Sequence, residues 1–231
     1  MDDKSNQKLS QIRGIRSYVV RQGHITCLQE SALECLMPIW GIAYQNKKID
    51  LDSIFSRHQP KILEIGFGMG QTTFEMAKNT PDIDYLCVEI YSPGVGNLLH
   101  LIEKEKLTNI RIIRHDVVEV VELMLEDEVF SGIHIYFPDP WHKKRHHKRR
   151  LIQSPFIQKL LPKLKSGGYI HLATDWEDYA YQILDVLSRE KSLINKFETF
   201  APRPNYRPVT KFELRGLRLG HGIWDIIFIK K

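Results

Sequence analysis

From residue 61 to the end of the chain, apolar residues fall into short continuous runs separated by longer stretches that mix apolar and charged positions. The continuous runs lie at 62–65, 85–89, 110–113, 133–137, 169–173 and 223–229, with a short one near 197–200. They carry little polar alternation, as expected of strands covered on both faces of a sheet. The mixed stretches between them, at 72–78, 94–104, 117–125, 155–164 and 178–188, read as amphipathic helices. Ser154 and Pro155 give the fourth of these an N-cap and a proline at its first helical position. The alternation predicts an α/β fold: a doubly wound, mostly parallel, seven-stranded sheet with helices on both faces. The last strand follows without an intervening helix and is expected to insert antiparallel.

The pattern changes upstream. Residues 1–14 are polar and read as disordered. Residues 15–44 carry Arg16, Arg21 and His24, then a helix-like apolar segment through Leu33, Leu36 and Met37. Arg16 and Arg21 suit either a polyanion or plain solvation, with solvation the commoner role of scattered arginines. The chain therefore divides into a partly disordered N-terminal extension, 1–50, and one domain, 51–231, with no repeat or linker inside it.

At 231 residues the chain is long enough for one full α/β core. The apolar region 25–44 is broken by Glu30, Glu34 and Pro38, and the N-terminus lacks a signal-peptide core, so a soluble cytoplasmic protein without a membrane span is expected. Cys27, Cys35 and Cys87 are odd in number and show no C-x-x-C spacing, which points to reduced thiols rather than disulfides or zinc.

Ligands of doubly wound sheets sit outside the carboxyl ends of the strands. There the first strand ends in Glu64 and the glycine loop Gly66-Phe-Gly-Met-Gly70, followed at once by a helix. Glycines Gly66, Gly68 and Gly70 let the backbone turn tightly and approach a nucleotide. The spacing is G-x-G-x-G, not the G-x-G-x-x-G of dinucleotide sites. A carboxylate ahead of it would repel a pyrophosphate but suits a cationic ligand. The pattern resembles motif I of class I S-adenosylmethionine methyltransferases, which favours such an enzyme over a nicotinamide oxidoreductase; a non-catalytic RNA-binding module is the other rival. Glu89 stands nineteen residues after Gly70, at the offset where an acid meets ribose hydroxyls. A solvated strand end is the plainer alternative. Asp116 can accept from an adenine amine, cap the following helix, or do both. Asp139 and Asp175 complete a row of five acids along one sheet edge.

After the fourth strand comes Phe137-Pro-Asp-Pro-Trp-His-Lys-Lys-Arg-His-His-Lys-Arg-Arg150. Six of the eight residues from Lys143 to Arg150 are Lys or Arg, which adds a local excess to a formal net charge of only +5. An internal cationic run beside an aromatic and the expected site fits nucleic acid: cations for phosphates and a ring for stacking. His142, His146 and His147 could suggest a metal, but the neighbouring cations oppose one. Pro138-Asp139-Pro140-Trp141 is similar to the N-P-P-Y tetrad of amino-methylating nucleic-acid enzymes, with a carboxylate in place of the amide. That change points to a target other than an adenine amine.

Together with Pro93-Gly-Val-Gly96, His115-Asp116 and Thr210-Lys-Phe-Glu-Leu-Arg-Gly-Leu-Arg-Leu-Gly-His-Gly-Ile-Trp-Asp225, these segments resemble the bacterial tRNA (guanine-N7)-methyltransferases, the TrmB family. The resemblance covers about residues 60–231 and extends to 16–26. It implies a Rossmann-like class I methyltransferase that uses S-adenosyl-L-methionine, without a metal, to methylate N7 of the variable-loop guanosine, position 46, of tRNA. It implies that Glu64, Glu89, Asp116 and Asp139 contact the cofactor and that Asp139 is catalytic. It further implies that Lys143, Asp175, Thr210, Lys211, Phe212 and Glu213 contact the substrate. Arg145, His146, His147, Lys148, Arg149 and Arg150 become the RNA-contacting run. No protein partner is implied, so a monomer or a homodimer is expected. Tyr91 and Val117 stand where the family often has histidine and alanine.

Overall fold

The computed structural model describes residue 18 and residues 23–231, without the side chain of Phe212. Arg16 and Arg21, and the expected disorder of residues 1–14, lie outside the described residues.

Seven strands form one sheet: β1 (Lys61–Ile65), β2 (Asp84–Val88), β3 (Ile110–Ile113), β4 (Phe130–Tyr136), β5 (Leu164–Thr174), β6 (Leu193–Asn195) and β7 (Trp224–Lys230). Their order is β3-β2-β1-β4-β5-β7-β6. The first five run parallel, and β7 inserts antiparallel between β5 and β6 as expected, although a helix at Lys211–Arg218 that the apolar pattern did not predict stands between β6 and β7.

Two apolar layers cover the sheet because alternate strand residues point to opposite faces. Leu63, Ile65, Leu86, Ile133, Ile170 and Phe228 meet α5 (Val117–Leu123), α6 (Ser154–Leu160) and α7 (Glu177–Ser188). Ile62, Tyr85, Cys87, Ile110 and Ile112 meet α3 (Gln71–Asn79) and α4 (Ser92–Glu105) on the other face. The described part of the N-terminal extension packs onto that second layer through α1 (Cys27–Trp40), capped by Thr26, which accepts from the Gln29 N–H. A Cβ at Gly96 would lie 2.4 Å from the Gln29 carbonyl oxygen, so only glycine lets α4 and α1 touch backbone to backbone. Asp50 caps the short α2 (Leu51–Phe55). Among the described residues, no helix is long and apolar enough to cross a membrane.

Three expectations need correction. The short strand expected near 197–200 is β6 instead, at Leu193–Asn195. Asn195 donates its side-chain amide to the Thr199 carbonyl and accepts from the Phe197 N–H, which folds the expected stretch into a turn. The helix expected through 164 stops at Leu160, because Pro162 lacks the N–H to continue it; a 3-10 turn follows, and Leu164 already pairs with Phe130. Gln153, not Ser154, is the N-cap of α6, and it makes no side-chain cap bond.

Candidate active site

Parallel strand order reverses between β1 and β4, and the loops that leave β1, β2, β3, β4 and β5 all open at the same edge. The glycine loop follows β1. Gly66, Gly68 and Gly70 all take positive φ (75°, 58° and 75°), the left-handed conformation that glycine adopts without penalty. A Cβ built on Gly66 meets nothing within 4 Å, so the first turn of the loop faces open space. One built on Gly94 would fall 1.8 Å from the Gly68 carbonyl oxygen, so the N-terminus of α4 closes directly on the loop.

Glu64 is 2% exposed, and its Oε2 is buried with no hydrogen-bond partner. Burial pushes its carboxyl up to about 7; the neighbouring Thr73 hydroxyl opposes the shift and the charge of Glu89 adds to it. A buried carboxylate of this kind beside open space fits a cationic ligand group, which would restore the missing partner.

Glu89 ends the β2 segment and is wrapped in backbone amides. Its Oε2 accepts from Gly68 N–H at 2.9 Å, and its Oε1 accepts from Ile90 and Tyr91 N–H at 2.7 and 3.0 Å. Burial nevertheless raises its carboxyl above the ordinary range, with those amides opposing and the Asp139 charge adding. Glu89 is therefore not a solvated strand end. Each carboxylate oxygen has two lone pairs, which leaves capacity for ribose hydroxyls. Asp116 caps α5, its Oδ1 accepting from Val118 N–H at 3.0 Å.

Asp139 lies on an exposed loop between two aromatics in left-handed backbone conformations, Phe137 (φ 51°) and Trp141 (φ 47°). Bulky residues reach that region only when surroundings force them, and such strain gathers at functional sites. Phe137 is pinned by its N–H to the Ala173 carbonyl at 2.7 Å. The basic run winds into a 3-10 helix, Lys144–Arg149. Lys143, Arg145, Lys148 and Arg149 are exposed, His146 and His147 half-buried, and the Arg149 guanidinium lies 4.9 Å from the Trp141 ring centre.

Arg150 corrects the expectation of an unbroken RNA-contacting run. It is buried, donates to the Pro140 carbonyl at 2.8 Å, to Gln182 at 2.5 Å and to Asp178 at 2.6 Å, and lies over the Tyr179 ring. Its guanidinium clamps the Asp139 loop to α7 and is not presented to phosphate.

The C-terminal motif supplies α8 (Lys211–Arg218), which the apolar pattern did not predict. Thr210 is its N-cap and accepts from Glu213 N–H at 3.0 Å. Thr210 and Glu213 are buried, and Lys211 is exposed. Asp175 sits against the same helix: a Cβ on Gly216 would lie 3.1 Å from its Oδ2. The two substrate carboxylates expected from sequence thus flank one short helix. Around them stand residues that sequence reasoning missed. The rings of His142 and Trp176 are 4.1 Å apart, and His221 approaches Asp175 at 3.8 Å. Arg207, fully buried, donates to both oxygens of Asp225 at 2.8 and 2.9 Å and to Glu213 at 2.6 Å. Asp225 also faces His171 Nε2 at 2.7 Å, while Tyr136 and Tyr206 hydroxyls reach its Nδ1 at 3.0 and 2.9 Å. Burial lowers the His171 pKa, against the pull of Asp225 and with the Arg207 charge adding.

A family model described as "Putative methyltransferase" matches residues 58–226. The tRNA (guanine-N(7)-)-methyltransferase of Neisseria meningitidis serogroup A is 60% identical over 225 residues, covering 97% of this chain and 94% of that protein. The same-named enzyme of Chromobacterium violaceum is 58% identical over 219 residues, 95% of this chain and 97% of that one. Among solved structures, the antibiotic-resistance methyltransferase Kmr superposes with a TM-score of 0.54 at 12% identity, covering 78% of this chain and 91% of that one. The aminoglycoside resistance methyltransferase NpmB1 gives 0.53 at 14% identity, covering 81% and 95%. At such identities the structural likeness establishes the fold alone.

Proposed function

The chain belongs to the bacterial tRNA (guanine-N7)-methyltransferase family, and we propose that it methylates N7 of the variable-loop guanosine, position 46, of tRNA, with S-adenosyl-L-methionine as donor. The observation that carries this reading is the buried, unpartnered Oε2 of Glu64, two residues before the open first turn of the glycine loop at Gly66. Glu64 would accept from the ammonium of the donor, Glu89 from its ribose hydroxyls and Asp116 from its adenine amine. Gly66, Gly68 and Gly70 would let the backbone approach it.

Bound donor supplies an electrophilic methyl group, and guanine N7 offers an in-plane lone pair with no proton to remove. The protein therefore needs no general base, and its contribution is placement and charge. Asp139 would orient the guanine and stabilise the positive charge as it develops on the ring. Asp175 and Glu213 would accept from N1–H and the 2-amino group, the two donors that guanine presents on that edge. Lys143, Thr210, Lys211 and Phe212 complete the substrate side, and Arg145, His146, His147, Lys148 and Arg149 would meet RNA phosphates. N7 is stacked inside folded tRNA, so the base would be extruded or the core loosened to reach the site. A tRNA substrate fits an enzyme that works in the cytoplasm.

The test is incubation with tritiated S-adenosyl-L-methionine and unmodified tRNA, followed by nucleoside analysis. Label in 7-methylguanosine at position 46 is expected. Label in another nucleoside, or none despite donor binding, would overturn the reading.

A further inference from the structure

We propose that Arg207 is a positioning residue for methyl transfer: it fixes the Glu213 carboxylate that reads the guanine edge and braces the turn that carries Asp139. The proposal deepens the function stated above and rests on the guanine-reading role given there to Glu213.

Arg207 lies in the loop between β6 and α8, outside every segment that carried the family resemblance, and is fully buried. Asp225 takes Nε and Nη2 of the guanidinium in bidentate fashion. The buried Nη1 needs an acceptor of its own. Glu213 supplies it with Oε2 at 2.6 Å, a second carboxylate on the same cation. One buried cation therefore faces two carboxylates, an arrangement that favours further donors at the site. The other cation beside Glu213 among the described residues, Arg203, is about half exposed and reaches Oε1 at only 3.9 Å. Glu213 is thus held firmly through one oxygen, while the other is loosely matched. That suits an acceptor whose partner, the guanine 2-amino group, arrives with the substrate.

The same guanidinium lies 5.8 Å from the Phe137 ring centre and 5.9 Å from that of Tyr136, at the end of β4. Phe137 is the first residue of the strained turn, two positions before Asp139. A planar cation stacked on those rings restrains the turn from beneath. One side chain thus touches both the base-reading helix and the base of the catalytic loop.

The experiment compares wild type with Arg207→Lys, in single turnover, on tRNA transcripts bearing guanosine or inosine at the target position. Inosine keeps N7 and N1–H but lacks the 2-amino group. Wild type is expected to favour guanosine, because a site built around a donor rejects the analogue lacking it. Arg207→Lys keeps the charge but not the fork, and the guanosine-to-inosine ratio is expected to fall at least tenfold, with donor affinity within twofold of wild type. Equal slowing on both transcripts would make Arg207 merely structural and overturn the proposal. If Arg207→Lys does not fold, Asp225→Asn loosens Arg207 from its far side without altering Glu213 or Phe137. The same fall in ratio is then expected, and an unchanged ratio overturns the proposal. A wild type that does not discriminate, or a Glu213→Gln enzyme with an unchanged ratio, would instead overturn the guanine-reading role and the proposal with it.

Discussion

The Glu89 carboxylate accepts the Gly68 N–H at 2.9 Å, across the gap between the second strand and the glycine loop. With Ile90 and Tyr91 donating to the other oxygen, one side chain ties together both walls of the cradle. Glu89→Ala therefore removes a brace and, on the proposed reading, a ribose acceptor as well. Loss of a hydrogen-bond partner to a charged group costs about 1.5–3 kcal/mol, so donor affinity should weaken roughly tenfold or more by calorimetry. Wild-type affinity in this variant would mean that neither job matters to binding.

Glu64 makes donor binding depend on pH. Burial holds its carboxyl at about 7, above the ordinary range, so near neutrality the unliganded protein carries it partly protonated. The sign follows from the group: the folded state binds this proton more tightly than the unfolded chain, so Glu64 favours folding below the ordinary carboxylate range. That contribution is lost as pH rises through about 7. An arriving ammonium prefers the ionised form. Affinity for S-adenosyl-L-methionine should therefore rise between pH 6 and 8, with proton release detectable by calorimetry in buffers of different ionisation enthalpy. Glu64→Gln should flatten the profile, and a profile unchanged in Glu64→Gln would assign the dependence elsewhere.

The basic segment separates into two roles. Lys148→Ala with Arg149→Ala should weaken tRNA binding and flatten its log–log salt slope by up to ~0.9 per lost phosphate contact. Arg150→Ala should leave that slope unchanged and instead destabilise the protein by about 1.5–3 kcal/mol, because its partners are the Pro140 carbonyl, Gln182 and Asp178. Thermal unfolding and binding isotherms on both variants check the division. A reduced salt slope in Arg150→Ala would return that residue to the RNA surface.

That division also marks where reading the chain alone succeeds and where it stops. The placement of Glu64, Glu89 and Asp139 at one sheet edge was legible because buried strands announce where they lie, and a parallel sheet brings their ends to one edge. Arg150 was not, since only the packing of α7 against the loop shows that its guanidinium turns inward. α8 escaped for a related reason. It buries Glu213 and Gly216 and exposes Leu214 and Leu217, so among its described side chains the pattern is inverted and no apolar stripe faces the core. What holds it is the Thr210 cap and the ion pair from Arg207, both set by the fold rather than by periodicity. β6 depends likewise on its pairing with β7 and on the turn closed by Asn195.

Asp139 carries the test of mechanism. It stands between Pro138 and Pro140, and beyond them Phe137 and Trp141 hold left-handed backbone conformations. The Arg150 bond to the Pro140 carbonyl fastens the same loop from below. So much restraint around one exposed carboxylate suits a group that must be placed accurately. N7 has no proton to give up, so the role proposed for Asp139 is one of charge and geometry, not of a base. Asp139→Asn keeps the shape and removes the charge. Single-turnover methyl transfer, with donor and tRNA both saturating, should fall by about 10²-fold, the loss typical of deleting one preorganised electrostatic contact. The tRNA isotherm should stay nearly unchanged, while some donor affinity is lost because the Asp139 charge is felt at Glu89. A rate close to wild type would leave Asp139 as a turn residue and move the search for charge stabilisation to Asp175 and Glu213.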